Sequence, residues 1–340
     1  MGKHIVIVHG RAVKPAKKPL ANLAARALAN GMRRAGDAAG ASALEEGRVT
    51  FSSAYYGDVS NAILAAASRR ERSKLSATDP DSGGAPCLPH EYLEEAYALT
   101  DRYKRFNKAT YRRVLAAADD NRYLDEAADV ASAFGALFTA GLLNKVLINA
   151  ATRDMGAYLD SHDVGSTVRG RLDAVLRPAL LGGDDVCLLT HSMGCIVAYD
   201  VLWKYSHMSE YAELRNRLAS PVSRWITFGC PLGDLGVRRN LLDGRYRNEA
   251  EKYPRGRIVR NWINVQAEDD FVAHDEAMKP HYGSLVASGD IDSLDDRRIY
   301  NCWVFKDHET GELKSNPHDF YGYLMNPDLA GVVGEWIAAP

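Results

Sequence analysis

Residues 184–203 read DDVCLLTHSMGCIVAYDVLW, and the reading of this stretch decides the fold. Val186 to Leu189 is a short apolar run of strand character, and Cys195 to Trp203 is a near-continuous apolar helix. Only Thr190-His191-Ser192-Met193-Gly194 separates them, so the turn is tight. Such a turn forces Ser192 into a strained backbone conformation and drives its hydroxyl outward. Small residues are favoured two positions to either side, where strand and helix backbones approach closely. Gly194 meets that need fully, and Thr190 makes the turn tighter. The competing reading is a buried serine acting as an ordinary helix N-cap after a strand. The strand and helix that flank it favour the first.

Outward from this turn the chain alternates strands and helices. Residues 4–8 (HIVIV) are apolar on both faces, as in a buried parallel strand, and His9-Gly10-Arg11 ends it. Leu20, Leu23, Ala24, Ala27 and Leu28 recur at helical spacing, and residues 48–56 read as a second strand. From about Asn61 to Gly165 the pattern changes. No convincing strand appears there, the Ser76 to Pro89 piece reads as a loop, and the rest is helical, including an alanine-rich run from Ala131 to Ile148. A helix carrying Val168, Leu172, Val175 and Leu176 follows, ended by Pro178 and the Gly182-Gly183 turn. Strands are expected at 225–228, 258–265 and 299–305, and an amphipathic helix begun by Asn326-Pro327 closes the chain. This alternation predicts an α/β fold, a mostly parallel sheet with helices on both faces. Residues 1–60 and 165–340 form its core, and 61–164 form a helical cap or lid inserted before the serine turn.

The 340 residues carry 46% apolar and 25% charged side chains, an ordinary globular balance. A net charge of −2 argues against nucleic acid as a partner, since that affinity depends on clustered positive charge. The basic runs Lys14 to Lys18 and Arg69 to Lys74 read as solvated surface. Five scattered cysteines form no metal or disulfide pattern and suit a reducing compartment. No apolar signal segment precedes the first strand, and the apolar region from Val130 to Ala151 is interrupted by Asn144 and Lys145. A cytoplasmic protein without stable membrane insertion is the expectation.

A serine hydroxyl needs a base within reach, and the base needs an orienting acid. In a parallel sheet such groups gather beyond the carboxyl ends of the strands. His9, Ser192, the acidic run Glu268-Asp269-Asp270 and the region after residue 305 all follow strand ends. In isolation the acidic run would read as a solvated turn, and a lone histidine as structural. The backbone N–H of Met193, in the first turn of its helix, is a candidate donor to an oxyanion.

The Thr190 to Gly194 turn, with its flanks, resembles the nucleophile elbow of the α/β-hydrolases. That resemblance implies the chain order serine, acid, histidine, which this sequence offers downstream of Ser192. Asp270-Phe271-Val272 resembles the family's acid pattern and points to Asp270, with Asp269 as the rival. His318, shortly before the terminal helix, stands where the family's base stands, with His308 as the alternative. His274 and His281 come too early in the chain. His9-Gly10-Arg11 resembles the family's oxyanion loop, which implies Arg11 N–H as the second donor and Gly10 as the residue permitting close approach. The segments RDMGAYL (153–159) and VRGRL (168–172) look like bacterial lipase- and esterase-like hydrolases, and the sheet looks like a family sheet lacking its first strands. The resemblance therefore implies a serine hydrolase of carboxylic esters that works through an acyl-enzyme, with no metal and no organic cofactor. Its substrate would be a small acyl ester or a lipid. Two alternatives stay open: a lipase or phospholipase, and a non-catalytic binding protein on the same fold.

Overall fold

The computed structural model describes residues 2–118, 153–217, 221–273, 277–307 and 310–340. The apolar run Ala131 to Ile148 and His308 lie outside these residues. Strands β1 (Lys3–Val8) and β2 (Thr50–Ala54) come first. A small antiparallel ribbon follows, β3 (Ala77–Asp79) with β4 (Ala85–Cys87). Then come β5 (Asp185–His191), β6 (Val222–Phe228), β7 (Val259–Ala267) and β8 (Ser293–Ile299). A second ribbon pairs β9 (Val304–Lys306) with β10 (Leu313–Ser315). The main sheet has the order β2-β1-β5-β6-β7-β8, and every pairing in it is parallel.

Side chains alternate between the two faces of a strand, and here both faces are buried. Val6, Val8, Val186 and Leu188 enter one core, with Leu172 and Leu176 of the helix His162–Leu181 and Ile196 and Val197 of the helix Met193–His207. Ile5, Ile7, Cys187 and Leu189 enter the other, with Leu20 and Leu28 of the helix Lys17–Arg34 and Leu329 and Val333 of the helix Pro327–Ala338. In the first core Trp225 and Trp262 stack at 4.4 Å between ring centroids. The described part of 61–164 packs into the same two cores, through Tyr97, Phe106 and Tyr111 on one face and Met155 and Tyr158 on the other.

Chain order along the sheet reverses between β1 and β5. From β1 the chain steps outward to β2, then returns to β1's other side. In open parallel sheets functional groups gather at such a reversal, beyond the carboxyl ends of the strands. The loop after β1 and the turn after β5 flank it.

The sequence reading needs three corrections. Ser76 to Pro89 contains the β3–β4 ribbon rather than a loop alone. The strand expected at 299–305 is two separate pieces, the end of β8 and the start of β9. β8 itself (SLDDRRI) carries charge because it lies at the sheet edge, where charged residues discourage pairing with other chains. The helix before the serine turn continues through Pro178 to Leu181.

Candidate active site

The turn after β5 has the geometry its sequence demands. Ser192 sits at φ 53° and ψ −126°, a region a residue with a Cβ occupies only when its surroundings impose it. Its N–H donates to Phe228 O at 3.1 Å, which ties the turn to the end of β6. The helix Met193–His207 starts at the next residue, where an N–H has no partner within the helix. A Cβ at Gly194 would lie 2.6 Å from His9 O and 2.8 Å from Val8 O, so only glycine lets the helix start against the end of β1. Thr190, fully buried, uses its extra bulk: its hydroxyl accepts the Trp225 indole N–H at 3.0 Å.

The loop after β7 and the loop after β10 meet across Gly229. His318 Nδ1 lies 2.9 Å from both Asp270 oxygens. The carboxylate accepts, so Nδ1 carries a proton, and in a neutral ring the lone pair is then on Nε2. The Asp270 side chain is wholly buried and also accepts from Tyr323 OH at 2.6 Å and Val272 N–H at 3.1 Å. Asp269 turns elsewhere. At φ 63° it accepts from Tyr111 OH at 3.0 Å. Of the two adjacent acids, only Asp270 meets the imidazole.

Three successive carbonyls hold the His318 loop. Asn301 Nδ2 donates to Pro317 O at 3.0 Å and to Asp319 O at 2.9 Å. His191 Nε2 donates to His318 O at 2.9 Å, and its ring lies 4.6 Å from the His318 ring. The residue before Ser192 thus grips the residue proposed as base. Among the described residues no hydrogen bond joins Ser192 Oγ to the His318 ring. In unliganded sites such contacts are often long and tighten when substrate binds.

The loop after β1 closes the crevice. A Cβ at Gly10 would lie 2.7 Å from Ser192 Cβ and 2.8 Å from His191 Nδ1, so the loop lies directly against the turn. His9 accepts Tyr56 N–H on Nε2 at 3.1 Å and donates from Nδ1 to Gly10 O at 2.8 Å. Tyr56 OH donates to His9 O, and Tyr55 OH donates to Pro15 O at 2.8 Å. The two tyrosines support the loop. Burial drives His9 down to about 3 and His191 well below the ordinary histidine range, so both rings are neutral near pH 7.

The ends of β1, β5 and β7 and one late loop therefore gather Gly10, Arg11, Ser192, Met193, Asp270 and His318. His191, Asn301 and Tyr323 join them, with roles no local pattern announces, because each acts on a residue far along the chain. Among the described residues no group of three or more His, Cys, Asp or Glu side chains could hold a metal ion. All five cysteines are free and buried, and burial pushes the Cys187 thiol up to about 12. No helix of the described residues is long and apolar enough to cross a membrane. Comparison of the chain with protein-family models, with curated proteins and with solved structures finds no match.

Proposed function

We propose that the chain is a serine hydrolase of carboxylic esters, built in the manner of the α/β-hydrolases. The observation that carries this reading is the pairing of His318 with buried Asp270, beside a serine held at positive φ between a strand and a helix. In this mechanism Ser192 Oγ attacks the ester carbonyl while His318 Nε2 takes its proton. Asp270 keeps the imidazole in the tautomer that can do so and stabilises it once protonated. The backbone N–H groups of Met193 and Arg11 receive the carbonyl oxygen as it gains charge, the term that typically dominates such reactions. His318 then protonates the departing alcohol. Water, activated by the same ring, releases the acyl group and restores the serine.

Ser192→Ala tests the assignment. Hydrolysis of p-nitrophenyl acetate by the purified protein is expected to fall at least about 10³-fold, and labelling by a fluorophosphonate probe to vanish. Unchanged hydrolysis in that variant would refute the reading.

A lipid ester as substrate is favoured by one observation. Phe271, next to Asp270, and Leu235 are 41% and 42% exposed, and the short helical turns Phe271–Ala273 and Pro231–Gly233 pack together. Large apolar side chains left in water beside a crevice suit an acyl chain or a lipid surface. Faster turnover of p-nitrophenyl octanoate above its solubility limit would support that substrate, and a strict preference for acetate would count against it.

A further inference from the structure

We propose that Asp154 is a positioning residue that locks the peptide beside the Arg11 amide, and that the helix Arg153–Asp160 braces the oxyanion site. The inference rests on the serine-hydrolase reading above. A trans peptide points its N–H opposite to its C=O. The direction of the Arg11 N–H is therefore set by Gly10 O, which His9 holds at 2.8 Å. The next peptide is pinned at both ends. Its oxygen, Arg11 O, accepts from Lys14 Nζ, and its N–H, that of Ala12, donates to Asp154 Oδ2 at 2.8 Å. Rotation of this peptide would break both bonds.

Ala12 sits at φ 72°, a left-handed conformation that needs such restraint. Asp154 is 1% exposed, and its other oxygen accepts Met155 N–H at 3.0 Å and faces Arg11 Nε at 3.4 Å. A carboxylate serving only its own helix would need the Met155 contact alone. This one commits an oxygen to a loop 142 residues earlier in the chain.

The same helix also grips the other side of the site. Tyr158, one turn beyond Asp154 on the same face, donates to Asp200 Oδ2 at 2.6 Å, and Asp200 belongs to the helix Met193–His207. Arg169 lies over the Tyr158 ring at 5.4 Å and 3.8 Å from Asp200. RDMGAYL and VRGRL thus supply one connected brace between the loop bearing Arg11 and the helix that begins at Met193.

Asp154→Asn tests the lock, because it keeps the volume and removes one of the two acceptor oxygens. Three readouts are needed: kcat and KM on p-nitrophenyl acetate, affinity for a trifluoromethyl ketone whose adduct on Ser192 is an oxyanion, and amide hydrogen exchange across residues 9–14. Loss of one oxyanion donor typically costs about 10²–10³ in kcat. A displaced donor is expected to cost about 30- to 300-fold, with KM within about threefold, a comparable loss of ketone affinity, and exchange at Ala12 faster by about tenfold or more.

A folded Asp154→Asn protein with kcat and ketone affinity within threefold of the original overturns the inference, provided Ser192→Ala is inactive. Activity retained in Ser192→Ala instead overturns the hydrolase reading, and the inference with it. Should Asp154→Asn fail to fold, Lys14→Met releases the other end of the same peptide. It is expected to lower kcat about tenfold at constant KM, and an unchanged kcat refutes the lock.

Discussion

Gly229 sits at φ 53°, and a Cβ there would come within 2.9 Å of His318 Cε1 and 3.1 Å of Asp270 Oδ2. Gly229→Ala should therefore strain the backbone and push the acid–base pair apart. We expect a loss of about 1–3 kcal/mol in unfolding free energy and a fall in kcat of more than about tenfold, checked by urea titration and ester hydrolysis. Tyr323 OH accepts Ala267 N–H at 2.8 Å while donating to Asp270. Tyr323→Phe strands the buried Ala267 N–H and removes one of the donors to Asp270, and is expected to cost about 1–3 kcal/mol, measured by the same titration. At this scale the strained serine turn was legible because only five residues separate an apolar strand from an apolar helix. The resemblance of Asp270-Phe271-Val272 to the family's acid pattern favoured Asp270 and left Asp269 as its rival, because the residues alone do not tell which neighbour faces the imidazole. The positive φ at Asp269 turns the two side chains to different partners, Tyr111 and His318. Asp154 and Tyr323 were illegible in their roles, because each contact spans a stretch of chain that no periodicity records.

Loops here are held by side chains reaching from other elements. Asn301, fully buried, grips the carbonyls on either side of His318 and accepts Trp303 N–H at 3.1 Å. Asn301→Leu leaves the buried Pro317 carbonyl and Trp303 N–H without partners, and more than about 2 kcal/mol of stability should go with them. Where the variant stays folded, kcat should fall while KM holds, because the loop carries the base rather than a binding surface. His191 acts from the elbow side. His191→Gln keeps a donor near the position of Nε2 and should retain more activity than His191→Ala, as steady-state kinetics would resolve. The main strands were legible from apolar runs bounded by turn residues. β8 was not, because its DDRR sequence puts charged residues on both faces of an edge strand and shows no apolar alternation. The β3–β4 ribbon escaped because strands of three residues give no period to read.

Across the whole molecule the buried titratable groups set how stability follows pH. In the unfolded chain a histidine binds a proton near pH 6.5, whereas folded His9 stays neutral down to about 3 and His191 is likewise held low. Below the ordinary value the unfolded state binds more protons, so this contribution is intact above about pH 6.5 and drains away as pH falls toward 3. Asp200 and Asp319 act in the opposite sense. Burial raises them to about 6 and about 7, so the folded state binds more protons, and their effect falls most heavily above those values. Urea midpoints of His191→Gln should therefore fall less steeply between pH 7 and pH 5 than those of the original chain, while those of Asp319→Asn should fall more steeply. Equal slopes in all three proteins would contradict this assignment. The α/β layering was open to the sequence, since doubly buried strands read as continuous apolar runs. That the groups after the strand ends gather was open to the sequence as well, but which of them become neighbours follows from strand order, which a linear pattern does not carry.

The stacked indoles of Trp225 and Trp262 donate to Thr190 and Thr227 at 3.0 and 2.9 Å. Two chromophores held face to face couple their transitions, which should give the native protein a bisignate circular-dichroism band that Trp262→Phe abolishes. Because Trp225 donates to Thr190, two residues before Ser192, that optical signature reports the condition of the turn in the absence of any ester.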